Sequence, residues 1–293
     1  MTFEQLRVFV AVAERQHVTR AAVALNMGQS AVSAAIGALE HRHGTKLFHR
    51  VGRGITLTEP GERFLAPARA ILAQVEAAER LLADLRGGNR GTLLVQASQT
   101  IASYWLPRHL AAFRQAHPCV DIRLTIGNSA QAAAAVQAGE VELGFVEGTP
   151  DDSGLRSQVV ARDQLIIVVA LAHPWATRPS VSAAELLETD WVQREPGSGT
   201  RAEFELAVAA FGHDPAALRT VLELPSNEAV RGAVEAGLGA AALSASVASP
   251  SLEAGLLCQV HLDLPARNFY VLQHAQRFVS QTAQAFLAML ETK

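Results

Sequence analysis

Three small polar side chains stand together near the N-terminus and suit the edges of DNA bases. They are Gln29, Ser30 and Ser33. A glutamine can form two hydrogen bonds with an adenine edge, and a serine hydroxyl can donate or accept there. Ala34 shares their outward position in a helical reading of the segment. These four positions are therefore predicted to contact DNA.

A helix-turn-helix over residues 18–43 would present these side chains. Its second helix is predicted to begin near Gln29, because the apolar residues that follow recur at intervals of four and three. These residues are Val32, Ile36 and Leu39. Thr19 can cap the first helix, and Gly28 lies in the reversal between the two helices. Helix-turn-helix proteins insert the start of the second helix into the major groove. Thr19, at the start of the first helix, is also among the predicted DNA contacts. An ordinary helical hairpin with solvated polar residues is the alternative.

Two short strands around a basic turn are predicted directly after this segment. The strands cover residues 47–50 and 55–58, and the turn between them holds Gly52 and Gly54. Such a hairpin is typical of the wing of a winged helix-turn-helix. Arg50 and Arg53 lie on it and are predicted to contact phosphates or a narrow minor groove, which supplies affinity and position more than sequence choice.

A longer ordered set of residues carries a family resemblance. It comprises Phe3, Leu6, Phe9, Val10, Ala21, Ala22, Gln29, Ser30, Ala31, Val32, Ser33, Leu39, Glu40, Gly44, Leu47, Phe48, Arg50, Leu57, Thr58, Glu59, Pro60 and Gly61. In this order the set resembles the DNA-binding domain of the LysR-type transcriptional regulators, and the resemblance continues along the whole chain. The family often has Ser, Gln and Pro at positions 28–30 of this chain, and a polar or basic residue where Ala34 stands. The resemblance therefore implies the fold but not the operator sequence.

Composition and charge agree with a DNA-binding regulator. The 293 residues are 49% hydrophobic, which excludes wholesale disorder and allows two or three compact units. The net charge of −3 is unevenly placed. Residues 1–90 hold 12 Lys and Arg against 8 Asp and Glu, a balance of +4, and the remainder holds 13 against 20, a balance of −7. The N-terminal part is therefore the half that suits a polyanion.

Targeting and metal-binding signals are not evident in the sequence. The start of the chain lacks the basic residues and apolar core of a secretory signal, and no uncharged stretch reaches transmembrane length. We therefore expect a cytoplasmic protein without a membrane partner. Cys119 and Cys258 lack metal-ligand spacing, so neither a disulfide framework nor a zinc site is expected, and no cofactor is predicted. A redox switch between the two thiols is the alternative.

A single long helix is predicted over residues 60–86, with a proline at its start and two glycines beyond its end. Its apolar residues step by three and four positions, a period close to that of a coiled coil, with Glu79 interrupting the series. This seam consists of Leu65, Ala68, Leu72, Val75 and Leu82. We predict a dimerisation helix, which would place two recognition helices on a near-palindromic operator. A helix packed against the C-terminal region of its own chain is the alternative, and Pro67 is expected to bend its first turns.

Strand and helix patterns alternate after a hinge-like linker at residues 87–91. Strands are predicted at 92–97, 120–126, 142–146, 165–171, 240–243 and 268–274, and helices at 101–116, 130–138, 201–211, 230–236 and 280–290. This alternation indicates open α/β sheets.

The resemblance implies that this region is a two-lobed domain like the type II periplasmic binding proteins. Lobe I would contain residues 91–162 and 267–293, and lobe II residues 163–266. The chain is thus predicted to be mixed α and α/β. Its three parts would be a winged helix-turn-helix at residues 1–59, a linker helix with hinge at 60–90 and an effector-binding domain at 91–293.

Hydroxyl and amide side chains follow predicted strands or precede predicted helices at four places in this domain. Ligands of open α/β sheets bind at such positions, where glycines and free amides at a helix start favour a negative group. The resemblance implies that an effector binds between the lobes to Ser98, Thr100, Ser129, Ser198 and Thr200, with Gln99, Glu147 and Asn227 as further candidates. The run of residues 195–201 resembles one recurrent subgroup pattern. We expect a small carboxylate or an inorganic anion.

These side chains also have structural interpretations. A Ser or Thr at a helix start can be an N-cap that serves only its own helix. Glu147 can be a surface turn residue beside Gly148, and its charge disfavours a purely anionic effector.

Catalytic motifs are not found in the sequence. It holds no serine in a Gly-x-Ser-x-Gly elbow, no Walker lysine and no dinucleotide fingerprint, so no catalytic residue is assigned and an enzyme is not expected. A transport-type solute-binding protein is the stronger rival for residues 91–293, but the preceding winged domain argues against it. We expect a sequence-specific DNA-binding transcriptional regulator controlled by a small-molecule effector. The resemblance implies homodimers or tetramers built from dimer pairs, and contact with RNA polymerase.

Overall fold

The computed structural model describes residues 1–52, 54–85, 91–148 and 154–291. The chain divides into two compact units, Met1–Arg86 with Ala138–Glu140 and Gly87–Gln137 with Val141–Lys293. We refer to them as the N-terminal unit and the C-terminal unit. The predicted phosphate contact Arg53 and the predicted hinge at residues 87–90 lie outside the described residues.

The described residues of the N-terminal unit form four helices and a hairpin. The helices are α1 (Phe3–Arg15), α2 (Val18–Ala24), α3 (Gln29–His43) and α4 (Glu59–Leu85), and the antiparallel hairpin pairs β1 (Phe48–Val51) with β2 (Gly54–Leu57). Thr2 accepts a hydrogen bond from the backbone N–H of Gln5 and caps α1 within a capping box. Asn26 adopts a left-handed φ of 54° in the reversal between α2 and α3, a conformation that asparagine tolerates better than most residues. The predicted winged helix-turn-helix fold is confirmed.

The predicted cap of α2 is wrong. His17 is the N-cap residue, and Thr19 is the second residue inside the helix. Val18 is partly buried and packs against the core of the unit. Because this apolar contact forms at the first residue of α2, the helix begins before Thr19 can act as its cap.

Three of the five residues of the predicted dimerisation seam pack inside the N-terminal unit. Leu65 and Leu72 pack against the core that α4 shares with α1, and Ala68 within that core is fully buried. Ala68 is therefore wrong as a dimer contact, because burial within its own chain leaves it no surface for a partner. Val75 is half-buried and Leu82 is 62% exposed, so the later turns of α4 keep apolar surface.

The described residues of the C-terminal unit form a nine-stranded sheet. Its strands are β3 (Thr92–Ser98), β4 (Asp121–Gly127), β5 (Leu143–Glu147), β6 (Leu155–Ala170), β7 (Asp190–Arg194), β8 (Arg219–Leu224), β9 (Ala240–Ser244), β10 (Leu257–Val260) and β11 (Ala266–His274). Their order is β4-β3-β5-β11-β6-β9-β7-β8, with β10 also paired to β6. Strand β3 runs parallel to β4 and β5, and β7 runs parallel to β8 and β9.

Strand β6 pairs with different strands along its two halves. Residues 155–164 pair with β11, and residues 165–170 pair with β9 and β10. The pattern predicted only the second half as a strand, because the first half is largely exposed and rich in polar side chains. Strands β7, β8 and β10 were not predicted either. This arrangement supports the division into lobes near residues 162 and 267, which stays a proposal.

Among the described residues of the C-terminal unit, six α-helices follow or precede these strands. They are α5 (Leu106–Ala116), α6 (Ser129–Ala138), α7 (Gly199–Ala210), α8 (Asn227–Glu235), α9 (Ala245–Glu253) and α10 (Gln281–Glu291). The single helix predicted at 101–116 is instead a π-helical turn, Ile101–Trp105, followed by α5. Pro107 has no N–H to donate in the first turn of α5, which accounts for the break in regular α-helical bonding. The polar candidates lie at the connections from β3, β4, β7 and β8 into the following helical segments, except Glu147, which is the last residue of β5.

Candidate functional site

Side chains from α2, α3 and the hairpin line a cleft of about 490 Å³ in the N-terminal unit. Four predicted DNA contacts line it together, namely Thr19, Gln29, Ser33 and Arg50. Ser30 and Ala34 are exposed on α3 but are not among the residues that line the cleft. Sequence reasoning did not single out three further lining residues, namely His17, Gly37 and Lys46. The cleft is open to solvent between the predicted recognition helix and the wing.

Glu40 ties the wing to the recognition helix. Its carboxylate accepts hydrogen bonds from the backbone N–H groups of Leu47 at 2.9 Å and Phe48 at 3.2 Å, and from Lys46 Nζ at 2.6 Å. Burial alone would raise the pKa of Glu40, but the hydrogen bonds from Lys46 and the two backbone amides outweigh burial and lower its pKa. The wing strand therefore starts at a fixed place beside α3, which brings Arg50 to the same cleft as the start of that helix.

A chain of hydrogen bonds joins the two predicted lobes of the C-terminal unit. Asn227 Nδ2 donates to Thr100 Oγ1 at 3.0 Å, and Asn227 Oδ1 accepts from Arg194 Nη1 at 2.6 Å. The backbone N–H of Asn227 donates to Gln99 Oε1 at 2.6 Å. Thr100, Arg194 and Asn227 are buried, so these bonds are shielded from water. Thr100 was assigned to predicted lobe I and Asn227 to predicted lobe II, and the structure brings these two candidates into contact.

Glu195 adds a further hydrogen bond to a residue of predicted lobe I. Its carboxylate accepts from Arg194 Nε at 2.8 Å, from Arg194 Nη2 at 3.0 Å and from Asn128 Nδ2 at 3.1 Å. Burial alone would raise the pKa of Glu195, but its hydrogen bonds, including those from Arg194 and Asn128, and the charge of Arg194 together outweigh burial and lower its pKa. The backbones also meet here, since the N–H of Ala130 donates to the carbonyl of Gly197 at 3.1 Å.

A second buried arginine holds the start of α7. Arg267 Nε donates to Asp163 Oδ2 at 2.7 Å, and Arg267 Nη1 donates to Thr200 Oγ1 at 3.1 Å. Arg267 and Asp163 are directly paired across β11 and β6, and Ser244 Oγ donates to the other Asp163 oxygen at 2.7 Å. The Arg267 side chain is completely buried. The carboxylate of Asp163 therefore compensates the buried positive charge of Arg267.

Ser129 and Glu147 meet α7 at its first residue. Ser129 Oγ donates to Glu147 Oε2 at 2.7 Å, and a Cβ on Gly199 would lie 2.5 Å from Ser129 Oγ and 2.8 Å from Glu147 Cβ. Only glycine fits there without movement of its neighbours. Glu147 is buried, so its interpretation as a surface turn residue is wrong. Burial raises the pKa of the nearby Glu203, with Arg267 opposing the shift and Glu147 adding to it.

The candidate hydroxyls do not act as helix caps in the way the structural interpretation required. Thr100 and Ser198 occupy N-cap positions but make no side-chain capping hydrogen bond, and Thr200 lies inside α7. Ser98 ends β3, and its buried Oγ has no hydrogen-bond partner among the described residues.

Neighbouring residues provide the caps instead. Asn128 Oδ1 accepts from the backbone N–H of Gln131 at 2.9 Å at the start of α6. Ser226 Oγ accepts from the backbone N–H of Ala229 at 3.0 Å at the start of α8. The starts of α6 and α8 are therefore capped by side chains other than the candidate hydroxyls.

We call the polar residues that these contacts connect the interlobe cluster; they are Gln99, Thr100, Asn128, Ser129, Glu147, Asp163, Arg194, Glu195, Thr200, Asn227 and Arg267. Sequence reasoning missed four charged or amide residues of this cluster. They are Asn128, Asp163, Arg194 and Arg267. Arg194 offered a local signal, since it ends an apolar strand and is followed by an acidic residue. Arg267 offered none, because its partner Asp163 is 104 residues away in the chain.

Within the described ranges, no group of three or more His, Cys, Asp or Glu is placed to hold a metal ion. No single helix among those residues is both long and apolar enough to cross a membrane; α2 and α3 meet the length and composition only as a pair bent by 108°. Cys119 is exposed, Cys258 is half-buried, and both are free thiols.

Known proteins match both units of the chain. Residues 3–62 match the family described as bacterial regulatory helix-turn-helix protein, lysR family, and residues 86–293 match the LysR substrate binding domain. The uncharacterized HTH-type transcriptional regulator YeiE of Escherichia coli strain K12 is 35% identical over 289 residues, covering 98% of this chain and 96% of YeiE.

Two solved structures show the same fold. Full-length CbnR, crystallised in complex with its target DNA, has a TM-score of 0.71 and 23% identity and covers 100% of this chain and 99% of CbnR. The CcmR regulatory domain of Synechocystis PCC6803, solved in complex with 2-PG, has a TM-score of 0.63 and 27% identity and covers 69% of this chain and 97% of that domain.

Proposed function

This chain belongs to the LysR family of transcriptional regulators, and we propose that a small anion bound in the interlobe cluster controls its action on DNA. Family membership makes the chain a DNA-binding regulator of transcription with an effector-binding domain. The proposal adds the chemistry of the effector and the residues that bind it. It also includes a homodimer or a tetramer of dimer pairs, a cytoplasmic location, contact with RNA polymerase and the absence of catalysis.

Two buried threonine hydroxyls carry the proposal of an anionic effector. Thr100 Oγ1 accepts a hydrogen bond from Asn227, and Thr200 Oγ1 accepts one from Arg267. A hydroxyl has one proton to donate and two lone pairs that accept. Since a lone pair of each threonine is already occupied by a fixed donor, each proton is left for another acceptor. The oxygens of a carboxylate or of an inorganic oxyanion are such acceptors.

The other hydroxyls differ in their readiness to donate. Ser98 Oγ is buried and has no partner among the described residues, so it supports the same ligand chemistry. Ser129 already donates its proton to Glu147, which makes it a weaker candidate for the effector. Ser198 is buried beside Gly199 at the start of α7, where the helix amides favour negative charge.

The surrounding charges limit the size and charge of this ligand. Arg194 is paired with Glu195, and Arg267 with Asp163, while Glu147 adds a buried carboxylate. The cluster is therefore not strongly positive, and directed hydrogen bonds rather than net charge would hold the anion. A small carboxylate or oxyanion fits this better than a polyanion. The likeness to CcmR, whose regulatory domain was solved with 2-PG, supports a small ligand in this domain.

The bonds between lobes provide a route from effector to DNA. The contacts of Asn227 with Thr100 and Gln99, and of Glu195 with Asn128, all join the two lobes. A ligand that enters this cluster must replace some of them, which changes how the lobes meet. In a dimer, such a change would alter the spacing of the two recognition helices on the operator.

The test is calorimetric titration of the full chain with sulfate, phosphate and short carboxylates. For any anion that binds, Thr100→Val and Thr200→Val should each lose about 1–3 kcal/mol of affinity, the usual cost of an unmade bond to a charged partner. DNA binding without the anion should persist. Thr125→Val is the matched control, since Thr125 is exposed on β4. Full anion affinity in both Thr100→Val and Thr200→Val would contradict the proposed site.

A further inference from the structure

Glu195 is held in the way that a bound carboxylate would be held. Three N–H groups converge on its two oxygens: Arg194 Nε at 2.8 Å, Arg194 Nη2 at 3.0 Å and Asn128 Nδ2 at 3.1 Å. The bidentate arginine pair is the geometry that matches carboxylate and phosphate groups. Arg194 and Asn128 come from opposite lobes. The interlobe cluster thus contains a complete pocket for an oxyanion, and the group that occupies it is the Glu195 side chain.

The two partners of this ion pair are not equally fixed. The Arg194 side chain is 5% exposed, and its remaining Nη1 is anchored to Asn227. The Glu195 side chain is 22% exposed and precedes Pro196 and Gly197, a short loop in which Gly197 has a left-handed φ of 88°. The arginine is therefore confined, whereas the carboxylate has a path to water. A buried guanidinium cannot be left without a counter-charge, so a departing Glu195 must be replaced.

We propose that Glu195 is a built-in competitor, which the anionic group of the effector displaces from Arg194 and Asn128. This inference rests on the proposed function and assigns the group that receives the anion. Its ligand class is a small carboxylate or a tetrahedral oxyanion, either of which offers two oxygens to the arginine fork. Displacement also exchanges the Glu195–Asn128 bond between the lobes for one made through the ligand. Occupancy of the pocket is thereby converted into a change at the lobe contact.

The Arg201 pairs show how an ordinary structural ion pair of this region looks. Arg201 bonds Glu205 and Glu223 at 2.7 Å each, with side-chain exposures of 22%, 35% and 46%. None of these contacts joins the lobes, because all three residues belong to lobe II. Glu205→Gln therefore removes a nearby arginine–carboxylate pair and keeps the three N–H groups that surround Glu195, which makes it the matched control.

The experiment titrates inorganic sulfate, and separately acetate, into the full-length Glu195→Gln protein by calorimetry. Removal of the competing charge should tighten sulfate binding about tenfold over the parent chain, while Glu205→Gln should leave it unchanged. Sulfate should also raise the melting temperature of Glu195→Gln more than that of Glu205→Gln, because it restores a counter-charge to Arg194. Adding Arg194→Lys to Glu195→Gln should abolish the gain, since lysine keeps the charge but not the fork.

Parental sulfate and acetate affinity in Glu195→Gln would overturn the inference. If that variant does not fold, Glu195→Asp, which keeps the charge but shortens the reach, should give a smaller gain in sulfate affinity, and no gain would overturn it equally. The threonine variants separate this result from the proposed function. Loss of binding in Thr100→Val and Thr200→Val with no gain in the Glu195 variants would reject only the competitor. A gain in the Glu195 variants with full affinity in both threonine variants would support the Arg194 pocket and reject the threonine contacts.

Discussion

The cleft of the N-terminal unit and the interlobe cluster are built in opposite ways. The cleft gathers side chains from residues 17–55, and its predicted base contacts Gln29 and Ser33 are exposed. The interlobe cluster gathers residues as far apart as Thr100 and Arg267, and both of these are at most 2% exposed. A surface that meets DNA can leave its polar groups to water until DNA arrives. A buried site must give each polar group a partner beforehand, so it requires several loops at once.

This difference predicts which region controls stability and which controls binding. Loss of an exposed contact removes an interaction with DNA and leaves the fold in place. Loss of a buried partner leaves another charge or donor unsatisfied inside the protein, which costs far more. The three predictions below test that contrast in order of decreasing effect.

The largest effect is expected for Arg267→Met. The variant leaves Asp163 buried without its counter-charge, which should lower the free energy of unfolding by about 3–5 kcal/mol. Urea unfolding followed by tryptophan fluorescence measures this directly. The chain has three tryptophans, and all of them lie in the C-terminal unit: Trp105, Trp175 and Trp191.

Arg219→Met is the matched control for this measurement. Arg219 pairs with Asp190, but the two side chains are 63% and 41% exposed. Its loss should change the free energy of unfolding by less than about 1 kcal/mol, because water screens an exposed pair. Equal effects of the two variants would mean that burial does not set the importance of the Arg267 contact.

A smaller effect, confined to binding, is expected for Gln29→Ala. If Gln29 contacts a base edge, the variant should lose about 1–3 kcal/mol of discrimination between operator and random DNA while its stability stays unchanged. Arg50→Ala is the comparison, since a phosphate contact should weaken binding to all sequences alike and lower the salt slope by about one. Competition gel shifts at several salt concentrations measure both quantities. Unchanged discrimination in Gln29→Ala would remove it from the base contacts.

The smallest effects are expected for two carboxylates. Their contributions to the stability of the fold should change with pH in opposite directions. Hydrogen bonds lower the pKa of Glu40, so its contribution to stability is present above its usual pKa and is lost as pH falls through the lowered value. Burial raises the pKa of Glu203, so its contribution is present at low pH and is lost as pH rises through the raised value. Glu40→Gln should therefore destabilise most at neutral pH, and Glu203→Gln should stabilise there.

Thermal unfolding between pH 4 and pH 7 measures this contrast. Circular dichroism reports the helices of both units, whereas tryptophan fluorescence reports only the C-terminal unit. The effect of Glu40→Gln should therefore appear in circular dichroism alone, and that of Glu203→Gln in both signals. Glu4→Gln serves as a control, since Glu4 is exposed in the first turn of α1. The same sign for both variants would contradict the assigned causes of the two pKa shifts.

Local patterns in the sequence were sufficient for most of the N-terminal unit. The start of α3 at Gln29 followed from the spacing of three apolar residues, and the hairpin followed from two short strands around a glycine turn. Both depend on contacts between residues close in the chain, which periodicity and turn residues report directly. The start of α2 and the role of Ala68 were misread because Val18 and Ala68 pack against the core of the unit, and packing is not a local property.

In the C-terminal unit the sequence identified positions, and the tertiary structure decided their chemistry. Thr100 and Thr200 could be selected because they lie between a strand and a helix. The sequence could not show that each hydroxyl accepts a hydrogen bond from a buried donor. The reason is distance along the chain, since Asn227 lies 127 residues from Thr100 and Arg267 lies 67 residues from Thr200. Which distant residues meet depends on strand order and on how the lobes close. The periodicity of a segment carries no information about a partner that far away, so Arg194, Arg267 and the place of Glu195 between two lobes emerged only from the folded chain.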